Sequence, residues 1–141
     1  MSETTSTENC EGRESTCLRD YRRDFPDWYD MKQKELGIQK VKVKNIVGGN
    51  PFVSENYNSD WVMHKMEFDT RYQRVEQIVK NAIITQKDAD ALDLGFIHLF
   101  KFYCSRLGKD VYYVCADGHR RTSVCHRLKV PYILAKVTEV F

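Results

Sequence analysis

Val111-Tyr112-Tyr113-Val114-Cys115-Ala116-Asp117-Gly118-His119-Arg120-Arg121-Thr122-Ser123-Val124-Cys125-His126-Arg127-Leu128-Lys129 is the stretch that decides how the chain is read. Val111 to Cys115 is a nearly continuous apolar run of β-branched and aromatic residues, as in a strand buried in a sheet. Asp117-Gly118 interrupts it. His119 to Lys129 then sets Val124, Cys125 and Leu128 on one helical face, and Pro131 stops that helix. Tyr132 to Val140 alternates apolar and polar residues, which predicts a closing strand. The unit is strand–loop–helix–strand.

The loop Asp117-Gly118-His119-Arg120-Arg121 has the chemistry of an anion site. The first-turn N–H groups of a helix have no intrahelical partner, and the helix dipole adds partial positive charge there. Gly118 permits backbone angles closed to other residues and a close ligand approach. Arg120 and Arg121 bring forked donors suited to phosphate, and helical side chains lean toward the N-terminus. Two cations at the positive end of a dipole call for an anion to offset them. The competing reading has Asp117 capping the helix and the arginines pairing with surface carboxylates.

Working outward, Leu107-Gly108-Lys109-Asp110 is a turn, and Phe96 to Tyr103 reads as a strand by its aromatic content. The two strands and the turn predict an antiparallel hairpin. Arg71 to Lys80 carries Tyr72, Val75, Ile78 and Val79 at helical spacing, within a helix expected over Trp61 to Asn81. Asp88 to Leu94 reads as a short helix capped by Gly95. Val41 to Val47 alternates as a half-buried strand, broken by Gly48-Gly49-Asn50-Pro51. Leu18 to Leu36 reads as helical, with a start or kink at Pro26 and a stop at Gly37. Residues 1–17 are polar and cannot offset their ordering entropy, so disorder is expected there. The reading is a leader over 1–17, a helical segment over 18–37 and one α/β (α+β) domain over 38–141.

The 141 residues suit a single domain. The 22 basic and 20 acidic residues leave a net charge of +2, so nothing global draws the chain to nucleic acid. There is no apolar run long enough to span a bilayer and no signal-peptide pattern, so no membrane is expected and the location reads as cytoplasmic. Five cysteines without a secretion signal or C-x-x-C spacing argue against a disulfide framework and a zinc site. Cys104, Cys115 and Cys125 read as small core residues. His64, His98 and His126 have no ligand spacing, so no metal is assigned to them.

The stretch Tyr112 to Val124, followed by Val130-Pro131-Tyr132-Ile133-Leu134-Ala135-Lys136-Val137, resembles the N-terminal domain of ParB and the related sulfiredoxin and free-serine-kinase domains. ParB has Gly-Glu-Arg-Arg in this loop, and stand-alone ParB-like proteins carry Asp-Gly-His-x-Arg. The resemblance covers about the last third of the chain. Upstream, a strand like Val41 to Val47 and an arginine-bearing segment like Thr70 to Arg74 follow in the family's order. The resemblance implies a small mixed sheet packed with helices, and a nucleotide, CTP or ATP/ADP, with its phosphates on Gly118, His119, Arg120, Arg121 and Thr122. Sulfiredoxin has its nucleophilic cysteine where His119 stands, so sulfinic-acid reduction is not implied. ParB's helix-turn-helix domain and third nucleotide motif would lie beyond Phe141, so centromere binding is not expected either.

Asp117 and His119 are the candidate proton-transfer groups, His119 because imidazole titrates near neutral pH. Its alternative is a cap-side residue. Arg71 and Arg74 would close over the nucleotide, or else pair on the helix surface with Glu67 or Glu76. Glu67 and Asp69 are the nearest carboxylates for Mg2+ or a base, although each reads more readily as a surface carboxylate. Three functions follow. One is nucleoside triphosphate hydrolysis or phosphoryl transfer. The second is a non-catalytic module, regulating a protein partner or self-associating, of the kind that phages and mobile elements carry. The third, DNA binding or nuclease activity, is least favoured by the charge.

Overall fold

The chain must cross from one edge of its sheet to the other within three residues, and this shapes the fold. The protein is described here by a computed structural model covering residues 21–49, 67–115 and 117–141. In chain order the elements are α1 (Tyr21–Asp24), β1 (Gln33–Lys42), β2 (Ile46–Gly48), α2 (Thr70–Thr85), β3 (His98–Cys104), β4 (Lys109–Val114), α3 (His119–Arg127) and β5 (Tyr132–Val140). The five strands form one mixed sheet in the order β1-β5-β3-β4-β2. β1/β5 and β3/β4 are antiparallel, whereas β3/β5 and β2/β4 are parallel. The domain is therefore a small α+β fold, as expected.

In a flat five-stranded sheet the two edge strands would lie about 19 Å apart. The edges β1 and β2 are joined only by a 3-10 turn at Val43–Asn45. From Lys42 to Ile46 the chain reaches at most about 14 Å. The sheet therefore curls to bring its edges together. The expected single strand over Val41 to Val47 is corrected by this turn: the alternation of Val41 and Val43 ends at β1, and Ile46 opens the opposite edge. His126 on α3 locks the crossing, its Nε2 lying 2.7 Å from the Ile46 carbonyl oxygen.

The expected N-terminal helix is also corrected. Among its described residues only the turn α1 and a 3-10 turn at Trp28–Asp30 are helical, and Gln33 already belongs to β1. Pro26 stops α1, since its ring clashes with the preceding turn and it has no N–H to donate, and pairing along β5 claims Gln33 onward. Gly37 does not stop a helix. It has φ +75 where the β1/β5 register shifts between Glu35 and Gly37, so it is a bulge position. Leu18 to Asp20 and the polar leader lie outside the described residues, as do Asn50 to Met66.

Within the helix expected over Trp61 to Asn81, Trp61 to Met66 lie outside the described residues, Glu67 and Phe68 are helical, and the chain breaks at Asp69. The Asp69 carboxylate accepts the Arg71 N–H at 2.9 Å and caps α2, which runs on to Thr85. The segment Asp88 to Leu94 is not helical. The Gln86 side-chain amide instead bonds both the N–H and the carbonyl of Asp93, and Leu92 bridges to Ile133 of β5. β3, β4, α3 and β5 follow the expected hairpin, helix and final strand closely, and β5 has the same bounds, Tyr132–Val140.

Each sheet face has its own core. On one face α2 and α3 cover Val41, Ile46, Leu99, Val114, Ile133 and Val137 through Val79 and Val124. On the other, Tyr21, Phe25 and Trp28 cover Phe100, Phe102, Val111 and Tyr113. Phe25 stacks on Phe102 with centroids 4.4 Å apart, and Tyr21 meets Phe100 edge-on at 5.1 Å. Cys104 and Cys125 are buried among these groups as free thiols. Phe102→Ala is expected to cost about 3–5 kcal/mol in urea unfolding, as full burial of an aromatic ring implies. A cost below about 1 kcal/mol would show that the aromatic segment does not seal this face.

Candidate functional site: the N-terminus of α3

Gly118 sets the start of α3. Its φ of +114 lies in the left-handed region, and a Cβ there would come within 2.8 Å of Ile97 Cγ2. Only glycine fits both constraints. Gly118, not Asp117, is the N-cap residue, and no side chain caps the helix. Asp117 is exposed, and its carbonyl accepts the His98 N–H at 3.3 Å. The first-turn amides of α3 thus receive no side-chain oxygen, which leaves the positive end of the helix open to an external acceptor.

The side chains of the loop divide sharply. Thr122 is fully buried, and its hydroxyl donates to the Gly118 carbonyl at 2.8 Å. Ser123 likewise donates to the His119 carbonyl at 2.7 Å. Thr122, a candidate phosphate ligand in the sequence, therefore turns inward and ties the first turn together. Arg121 donates through Nη1 to the Leu94 carbonyl at 2.9 Å, holding the segment before β3 against α3. Arg120 is exposed and makes no ion pair or hydrogen bond among the described residues.

Arg120 lies near the N-terminal turn of α2, which packs against α3. The buried Tyr72 hydroxyl feels the positive charge of both Arg120 and Arg71, although burial outweighs them and raises its pKa. Arg71 is exposed and pairs with the capping Asp69 at 3.1 Å, and Arg74 is exposed one turn further on. Arg71 and Arg120 thus both lie within electrostatic range of the Tyr72 hydroxyl. Asp69 is committed to capping and to Arg71, and Glu67 is exposed.

His119 sits unlike its neighbours. Its ring packs on Gly49, where an added Cβ would lie 2.5 Å from Nε2. That Nε2 is buried and has no hydrogen-bond partner among the described residues. Burial, and then the Arg120 charge, lower its pKa to about 4, against the opposing pull of Asp117. The imidazole is therefore neutral at pH 7 and faces the protein rather than solvent. The sequence marks Gly48-Gly49 as a turn, but only the fold reveals that Gly49 is the seat of His119.

The other described histidines are committed elsewhere. His98 Nε2 lies 2.9 Å from the Thr138 hydroxyl, which donates to Glu35 at 3.1 Å. His126 holds Ile46, as above. Among the described residues no group of three or more His, Cys, Asp or Glu is placed to hold a metal ion. A cavity of about 270 Å³ lies at the far ends of α2 and α3, lined by Ile83, Leu92, Leu128, Val130, Pro131 and Tyr132 among others. It is remote from the Asp117–Arg121 loop. No described helix is long and apolar enough to cross a membrane.

Two outcomes are expected. Gly49→Ala should destabilise the fold by more than about 1 kcal/mol through overpacking against His119. The same change in a His119→Ala background should cost much less, and equal costs in the two backgrounds would separate the residues. Secondly, His119, His98 and His126 all have folded pKa values below the unfolded value. The unfolded chain binds more protons between them, so stability is fully present above about pH 6.5 and falls toward pH 4. Urea midpoints at pH 7 and pH 5 should show a smaller drop in His119→Phe than in the wild type. An identical drop would show that His119 is not held neutral.

Compared with known proteins, the chain matches no family model, and no curated protein is detectably similar to it.

Proposed function

We propose that the chain binds a nucleotide through its phosphates at the N-terminus of α3, in the manner of a ParB/sulfiredoxin-like domain. The observation that carries this reading is the uncapped first turn of α3, opened by Gly118 and flanked by the unpaired Arg120. An uncapped helix start with an adjacent guanidinium is a ready site for a phosphate group. Arg121 and Thr122 hold the loop in shape rather than touch the ligand, and Arg71, which acts with Arg120 on the Tyr72 hydroxyl, adds positive charge nearby. The resemblance of the loop to Asp-Gly-His-x-Arg proteins supports a nucleotide, CTP or ATP/ADP, over a simple anion.

Binding without turnover is the better supported form of the proposal. His119 is neutral and packed on Gly49, and Asp69 is spent on the α2 cap. Hydrolysis or phosphoryl transfer with Mg2+ would need one of these groups, or Asp117, to turn toward the phosphates. A binding-only domain of this size suits a regulatory module acting on a protein partner.

Isothermal titration with CTP, ATP, ADP and GTP, with and without Mg2+, tests the reading. One nucleotide should bind saturably, and Arg120→Ala should weaken it by about tenfold to a hundredfold, the worth of a charge-assisted contact. Absence of heat with all four would refute the proposal, and an unaffected Arg120→Ala variant would make the loop purely structural.

A further inference from the structure

Arg106 occupies the turn between β3 and β4, and its side-chain Nε, Nη1 and Nη2 atoms are all buried without a hydrogen-bond partner among the described residues. Its stem is partly exposed, but its charged head is shut off from solvent. A guanidinium cannot shed its proton at any pH a protein tolerates, and removing it from water without a counter-charge is strongly unfavourable. A buried polar group left unpaired in a native fold calls for an acceptor.

The hairpin itself supplies none. Asp110 is the near carboxylate, and it pairs with Lys101 at 3.6 Å. Lys109 has turned to the Asn45 side-chain oxygen at 3.2 Å. No aromatic ring among the described residues stacks under Arg106, whereas Arg22 lies over Trp28 and Lys40 over Tyr132. These neighbouring charges are thus satisfied, whereas the Arg106 head has no partner among the described residues.

We propose that Arg106 anchors a second anion site at the β3–β4 turn, for a small oxyanion with carboxylate or phosphate chemistry. The guanidinium offers the planar fork that such groups accept in pairs. The site is distinct from the α3 loop. His98 and Cys115, at the loop end of the hairpin, are joined by a 2.9 Å backbone bond. Arg106 follows Cys104 at the other end of β3, about 20 Å away along the seven-residue strand. Entry requires the turn to yield, and it is a surface element: Ser105, Gly108 and Lys109 are exposed, and Gly108 takes φ +66.

Titration of the Arg120→Ala variant with inorganic phosphate, and separately with acetate, tests this at constant ionic strength in chloride. Arg120→Ala weakens the first site without abolishing it, so the second site is assigned by what a change at Arg106 removes from this background. One saturable site is expected for one of the two ions, and which ion binds identifies the chemistry. Adding Arg106→Met, which keeps the length without the charge, should weaken that site at least about tenfold. Adding Arg106→Lys instead should retain part of it. Absence of saturable binding of either ion to Arg120→Ala overturns the proposal, as does equal binding after Arg106→Met. If the Arg106→Met protein does not fold, Arg106→Lys decides: a weakened but retained site supports the proposal, and an affinity identical to that of Arg120→Ala overturns it. Nucleotide binding to the wild type is a separate readout, so the two sites stand or fall independently.

Discussion

The contact of Gly118 with Ile97 is the constraint on which the site depends. Ile97 leads into β3, and Gly118 starts α3. Their approach leaves no room for a Cβ, and φ +114 leaves no freedom for one. The chain must therefore leave β4, turn left-handed against the start of β3 and enter the helix without a side-chain cap. The three hydrogen bonds that Thr122 and Ser123 make back to Gly118 and His119 then wind the first turn tightly. Arg121 adds the Leu94 carbonyl to the same knot. The exposed side chains left at the helix start are Asp117 and Arg120, beside first-turn amides without a side-chain cap, and it is to these amides and Arg120 that the proposed anion would bind.

This arrangement separates shape from recognition inside a five-residue loop. Arg121, His119 and Thr122 look like ligands in a linear reading because they stand beside Arg120 in an anion-binding pattern. In three dimensions they hold the loop. His119 lies on Gly49 at the start of a segment far away in sequence, and Arg121 lies on the chain before β3. The loop is thereby braced from two directions. A braced helix start loses little entropy when a ligand arrives, since the donors are already in place.

Much of the fold was legible because the relevant signals are local. Alternation in Tyr132–Val140 gave a strand of those bounds, and the Phe96 to Cys115 aromatics around a Gly turn gave a hairpin. The failures arose where tertiary pairing overrode local pattern. Gln33 to Leu36 joined β1 because β5 offered it a ladder, and Gly37 served as a bulge rather than a helix stop. The break at Val43–Asn45 has no local signature, since it exists to carry the chain between sheet edges. In the site, Gly118 was readable as a conformational requirement. The inward turn of Thr122, the Leu94 tie of Arg121 and the Gly49 seat of His119 depend on partners distant in sequence, so no spacing rule announces them.

The central claim is that the open amides of the α3 first turn receive the anion. Backbone amide chemical shifts in a two-dimensional 15N NMR titration with a nucleoside triphosphate test it most directly. The account predicts the largest changes at Gly118, His119, Arg120 and Arg121, with smaller ones at Arg71 and Tyr72. Changes confined to the cavity around Leu128 to Tyr132, or none at residues 118–121, would contradict it.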